Sequence, residues 1–192
     1  GAEIMVENLA LTLKEKDCCV KIISLYDCSS PITVRLEDAN IPVIYLNKKI
    51  GFDFKIIFRL YKIFKVEKPS VVHTHLYSLP YVFIAAKFAM VPKIVHTIHS
   101  VANKEISKGK RKINKVLFKR FGVIPVAISP IVKESIVEEY NIEPYKVPMV
   151  FNGINLNKCI KKENYSLKDK CTVLHIGSFS KQKNHVVLVN SY

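Results

Sequence analysis

The chain has neither a CxxC pair nor a Cys/His ligand spacing: its five cysteines stand at positions 18, 19, 28, 159 and 171. That pattern argues against a disulfide framework and against a zinc site, so reduced, mostly buried thiols are expected. Long hydrophobic runs are also missing. Stretches such as Val82 to Ala86 fall far short of the roughly 18 apolar residues that a membrane-spanning helix needs. No basic flank, apolar core and small-residue cleavage site follow one another at the N-terminus, and the expectation is a cytoplasmic protein. No complete GxGxxG follows a strand-like run, which disfavours a dinucleotide-dependent oxidoreductase. Glycine is scarce, 6 in 192 residues, and neither an internal repeat nor a low-complexity tract is present, so the chain reads as globular.

Acidic residues are outnumbered, 16 against 30 basic ones, for a net charge of +14. Arginine contributes little to that excess, at positions 35, 59, 111 and 120 alone. A basic surface attracts nucleic acid, anionic membrane and acidic substrates alike, and a lysine-biased genome gives the same excess without any function. Charge does not choose among these.

What is present is an alternation of strand-like and helix-period segments, the pattern of βαβ units. Spacing predicts helices over 3–16, 54–65, 79–88, 110–121 and 130–140, with strands over 20–25, 43–46, 71–74, 93–98, 123–127, 147–151 and 172–176. Residues 27–31 form a polar loop in this scheme. The 54–65 pattern places Ile57, Phe58, Tyr61 and Phe64 inward, and the 110–121 pattern does the same for Ile113, Leu117 and Phe121. Ser129 can cap the helix that Pro130 opens. The expected fold class is α/β, a Rossmann-like parallel sheet with helices on both faces. A first domain over 1–152 is followed by a Lys-rich linker over 153–170 and the start of a second domain over 171–192. The strand expected before the first helix is missing and the last helix looks unfinished, so a fragment is the simplest reading.

Ligands of open parallel sheets bind beyond the carboxyl ends of the strands. Gly1 opens a helix there, where free N–H groups and the helix dipole favour a phosphate. His73 and His75 share one face of their strand, whereas His96 and His99 do not share theirs. With no carboxylate or thiol near them in sequence, a metal is not expected. His99 fits either a structural histidine or a ligand contact. Asn152-Gly153 fits a turn, and the linker after it also allows a hinge. The loop Gly177-Ser178-Phe-Ser-Lys-Gln-Lys183 enters a helix and suits either a diphosphate or solvent.

In order, Gly1-Ala-Glu3, Val71-Val-His-Thr-His75, His96-Thr-Ile-His99, Val126-Ala-Ile-Ser129, Val150-Phe-Asn-Gly-Ile-Asn155 and His175-Ile-Gly-Ser-Phe-Ser-Lys-Gln-Lys-Asn-His185 resemble glycosyltransferase family 4. Bacterial enzymes of capsular, exopolysaccharide or lipopolysaccharide assembly are the most similar members. The resemblance implies half of a GT-B fold, in which two Rossmann-like domains face across a cleft. It implies transfer of a sugar from a nucleotide-sugar to a glycan or lipid-linked acceptor, with retention and without a metal or other cofactor. It places Gly1, Gly177, Ser178 and Lys183 at the donor phosphates and His99 as the catalytic residue beside the donor sugar. His75, Ser129, Asn152 and Gly153 become cleft or acceptor-side residues. Two departures are visible: many relatives have Arg where Ser178 stands, and Asn155 replaces a common Asp. The paired glutamates that grip the donor in this family would lie beyond Tyr192.

A second function class is a non-catalytic basic module. Lys104 through Arg120 carries Lys108, Lys110, Arg111, Lys112, Lys115 and Lys119 on an amphipathic pattern suited to an anionic membrane, or to plain solvation. Nucleic acid is not expected as a partner, because the aromatics sit at helix-core spacing and no recognition motif appears.

Overall fold

The computed structural model describes residues 1–27, 29–154, 156, 160, 174–177, 179 and 183–191. Two compact units are present, Gly1–Asn155 and Leu156–Tyr192. The first runs α1 (Ala2–Glu15), β1 (Ile22–Ser24), α2 (Pro31–Asp38), β2 (Val43–Tyr45), α3 (Phe54–Glu67), β3 (Val71–His75), α4 (Leu79–Phe88), β4 (Lys93–Ile98), α5 (Ala102–Glu105), α6 (Lys108–Arg120), β5 (Ile124–Ala127) and α7 (Pro130–Tyr140). The described part of the second unit carries α8 (His185–Asn190).

Every strand pairing is parallel, as the alternating pattern requires. β1 pairs with β2, and β3-β4-β5 form a three-stranded sheet in that order. Helices cover the sheets through apolar stripes: Ile56, Leu60 and Phe64 of α3, Val82, Ala85 and Ala86 of α4, Leu117 and Phe118 of α6, and Ile136 and Tyr140 of α7 all join one core with Ile94 and Ile98. A smaller core of Ala10, Leu36 and Ile41 holds α1 against α2.

Several expectations need correction. The segment predicted as loop leads into a helix, α2, which starts on a capping box: Ser30 Oγ accepts from Thr33 N–H at 3.3 Å, and Thr33 Oγ1 accepts from Ser30 N–H at 2.9 Å. In α3 Phe64 is buried and Ile57 and Tyr61 are partly buried against the core, as predicted, but the fully buried residues beside Phe64 are Ile56 and Leu60, and Phe58 is 58% exposed. α6 likewise buries Leu117 as predicted but turns Asn114 and Phe118 inward, leaving Ile113 and Phe121 about half exposed. The run 147–151 makes a single bridge, Ala127 with Met149, because Pro148 has no N–H to extend a ladder. Cys18 and Cys19 are exposed, since both lie in the turn from α1 to β1; the other cysteines lie outside the described residues, as do most of the predicted linker and Thr172-Val173 of the last predicted strand. Leu174 to Gly177 carry no strand.

Candidate functional site

The carboxyl ends of β3 and β4 lie side by side, with His73 opposite Val95 and His75 opposite Thr97. Because side chains alternate along a strand, residues 73, 75, 97 and 99 emerge on one face and 74 and 96 on the other. His73 Nε2 meets Thr97 Oγ1 at 2.7 Å, and the His73 and His75 rings are 4.3 Å apart. His75 Nδ1 lies 3.0 Å from His99 Nε2. The shared face of His73 and His75 is thus as the alternation predicts, and the chain turn after β4 brings His99 to it.

On the opposite face Thr74 donates its hydroxyl to the Val95 carbonyl at 3.2 Å, so its oxygen accepts from His96 Nδ1–H at 2.8 Å. His96 is fully buried beside Phe118. It is a packing residue and takes no part in the site.

Burial pushes the His73 imidazole down to about 4 and His75 down to about 3, helped in each case by the neighbouring imidazoles. His96 is lowered to about 3, again mainly by burial. His99 is lowered mainly by burial. At neutral pH the cluster is uncharged, and the His75–His99 contact is an N–H···N bond between two neutral rings. Among the described residues no group of three or more His, Cys, Asp or Glu side chains is arranged to hold a metal ion.

The start of α1 lies within electrostatic range of His99. Gly1 is the N-cap of α1, and no side chain caps that helix. Tyr77, just after β3, is pushed up to about 12 by burial, by its hydrogen bond to Tyr26 and by the charge of Glu3. Gly1 and Glu3 on α1, Tyr26 after β1, Tyr77 after β3 and His99 after β4 therefore gather where the strands end.

Glu105 was not identified from sequence. Its Oε1 accepts the His99 backbone N–H at 2.8 Å, and burial raises its carboxyl to about 7. The available signal was its isolation: from residue 68 to residue 133 it is the single acidic side chain. α5, which carries it, is anchored where Ala102 N–H donates to Ser135 Oγ at 3.0 Å, while the Ser135 hydroxyl donates to the Val132 carbonyl at 2.7 Å.

The other predicted positions are placed as follows. Ser129 caps α7, its hydroxyl accepting from Val132 N–H at 3.3 Å. Asn152 and Gly153 are exposed, and the Gly153 carbonyl accepts from Asn8 Nδ2 of α1 at 3.3 Å. In the second unit a Cβ on Gly177 would stand 3.2 Å from His175 Nε2 and 3.6 Å from the Lys183 methylenes, so Gly177 and Lys183 are neighbours. Ser178 lies outside the described residues.

Known proteins match this chain in sequence and in fold. An Escherichia coli UDP-Gal:alpha-D-GlcNAc-diphosphoundecaprenol alpha-1,3-galactosyltransferase is 31% identical over 164 residues, 79% of this chain and 42% of the relative. A Campylobacter jejuni N-acetylgalactosamine-N,N'-diacetylbacillosaminyl-diphospho-undecaprenol 4-alpha-N-acetylgalactosaminyltransferase is 36% identical over 61 residues, 31% of this chain and 16% of that protein. A Rickettsia africae glycosyltransferase superposes with a TM-score of 0.64 at 24% identity, covering 80% of this chain and 39% of the other. Anabaena Alr3699/HepE in complex with UDP-glucose gives a TM-score of 0.64 at 17% identity, covering 82% of this chain and 42% of the other. The chain thus spans less than half the length of these proteins, and the shared fold is that of the GT-B glycosyltransferases. The profile of Glycosyltransferase Family 4 matches residues 1–158, and the chain belongs to that family.

Proposed function

We propose that this protein takes part in moving a sugar from a nucleotide-sugar to a lipid-linked glycan acceptor, with retention and without a metal, in bacterial surface polysaccharide synthesis. The observation that carries the reading is the neutral His75–His99 pair beside the open N-terminus of α1, at the sheet end where parallel α/β folds bind ligands. The names of the two matched enzymes, both acting on undecaprenol diphosphate-linked sugars, support the acceptor class.

In this reading the sugar's anomeric carbon–oxygen bond to the diphosphate breaks while the acceptor oxygen bonds to the same face of the ring. The acceptor's proton passes to the departing phosphate oxygen. Negative charge grows on the diphosphate, and groups that stabilise it more in the transition state than in the ground state accelerate the step. Lys183, a neighbour of Gly177 in the second unit, carries the charge suited to that task; in the first unit, taken by itself, the N-terminus of α1 favours an anionic group. Neutral His99 orients the donor sugar by hydrogen bonding, with His75 fixing its ring and Glu105 fixing its backbone. The same proposal makes the 192-residue chain inactive alone, with the protein working in the cytoplasm, peripheral to an anionic membrane.

The test measures nucleoside diphosphate release from a panel of nucleotide-sugars with a polyprenyl-diphosphate-linked sugar as acceptor, in excess chelator. The chain alone should release none, and the chain joined to the rest of a family 4 enzyme should release it with an axial product linkage preserved. Release that requires an added metal, or an inverted product, would overturn the reading.

A further inference from the structure

α3 is apolar on two faces. Ile56, Leu60 and Phe64 enter the core, while Phe54, Phe58 and Tyr61 face Ile84 and Phe88 of α4 across an open groove of about 490 Å³. Phe54 is 75% exposed and Phe88 73%. Phe52 extends the strip, its ring stacked on Tyr81 at 5.1 Å and set edge-on to Phe54 at 4.6 Å. A contiguous exposed strip of this kind marks an interaction surface, whereas scattered apolar residues do not.

Its rim is basic. Lys55, Lys62, Lys65 and Lys87 are exposed, and among the described residues none of them forms an ion pair. The Lys62 ammonium sits 4.6 Å above the Phe58 ring. The two acidic residues of the α3 segment are already engaged: Asp53 caps α3 through Lys55 N–H at 3.0 Å, and Glu67 pairs with Lys21 at 2.5 Å. Asp53 is the one carboxylate at the α3 end of the face, and the four lysines outnumber it.

We propose that the α3–α4 face docks on an anionic lipid bilayer, the aromatics entering the headgroup boundary and the lysines resting on lipid phosphates. Both halves of the face match that occupant, since interfacial binding adds apolar burial to attraction by anionic lipid. A second copy of the chain is a poor fit, because a symmetric contact would set one lysine rim against the other. α6, the basic helix that stands out in the sequence, is a weaker surface: Leu117 and Phe118 enter the core, Ile113, Val116 and Phe121 are each less exposed than Phe54 or Phe88, and Arg111 pairs with Glu139 at 3.1 Å. The proposal rests on the membrane contact proposed above and is independent of sugar transfer.

The experiment is sedimentation of the full chain with vesicles of phosphatidylcholine alone or with about one-third phosphatidylglycerol. Binding is expected with the anionic vesicles only and should fall steeply as salt rises. F54S/F58S should lower the partition coefficient at least about tenfold, with the fold confirmed by circular dichroism. K55E/K62E/K65E should abolish the preference for anionic lipid, and K112E/K115E/K119E on α6 should change binding by less than about threefold. Absence of binding to anionic vesicles, equal binding by both α3 variants, or loss confined to the α6 variant would overturn the proposal. So would a concentration-dependent dimer of the parent chain that F54S/F58S dissolves. Vesicle binding needs neither donor nor acceptor sugar, so its outcome is separate from that of the transfer assay.

Discussion

The imidazoles of His75 and His99, on two neighbouring strand ends, share one hydrogen bond of 3.0 Å from Nδ1 to Nε2. Such a bond needs one N–H and one lone pair, so it is lost once both rings are protonated. Burial lowers both imidazoles, which keeps the bond intact through the physiological range. His99→Ala is expected to reduce transfer by at least about 10²-fold, chiefly in kcat. His75→Ala should cost less, about tenfold, and His75→Gln should recover part of it by again offering a hydrogen bond. Steady-state kinetics of the two series decides this; equal kcat in His99→Ala and parent would remove His99 from the reaction.

Glu105 gives the site a titration near neutrality. Its carboxyl is raised to about 7 by burial, so the folded protein holds a proton there that the unfolded chain releases. Stability from this group is complete below its ordinary value of 4.5 and is lost as pH rises towards and through 7. Glu105→Gln keeps an acceptor for the His99 N–H and removes the charge. The variant should gain on the order of 2 kcal/mol relative to the parent between pH 5 and pH 8, measured by denaturant titration.

The histidines act in the opposite direction. His73 is lowered to about 4, and His75 and His96 to about 3, so above 6.5 they contribute fully and below it the unfolded chain takes up protons first. Stability is therefore lost as pH falls from 6.5 through that range. Among the described residues His96 Nε2 has no hydrogen-bond partner, which makes the site tolerant of an apolar side chain. His96→Leu should reduce the proton uptake of acid unfolding by about one, read from the pH dependence of the unfolding free energy.

Ser129 separates a structural role from a ligand-contacting one. As the cap of α7 it should cost about 1 kcal/mol when replaced by Ala, seen as a lowered melting temperature. Activity measured well below that temperature should be nearly unchanged if capping is its whole role. A larger loss of activity would assign it a contact with the acceptor as well.

The sequence and the structure agree most where hydrophobic alternation is strong. β4 and α7 lie where the pattern puts them, because a buried strand rich in β-branched residues, Ile94, Val95, Thr97 and Ile98, or a Pro-opened, Ser-capped helix admits few alternatives. α2 escaped notice because its eight residues bury a single large side chain, Leu36, and its start is written in the Ser30–Thr33 box instead of in a stripe. In α3 the error came from having two apolar stripes on one helix. Periodicity cannot say which faces the core, and the outer one proved to be the exposed groove. The histidine face followed from strand parity, whereas Glu105 depended on the turn after β4 folding back on His99, which no local pattern encodes.

Transfer itself is the most direct test. Residues 1–158 can replace the matching segment of the Escherichia coli galactosyltransferase, and the chimera can be given UDP-galactose and the GlcNAc-diphosphoundecaprenol acceptor of that enzyme. The predicted result is an alpha-linked galactosyl product, with the rate falling at least about 10²-fold in the His99→Ala chimera. A folded chimera that binds UDP yet forms no product, or one indifferent to His99→Ala, would contradict it.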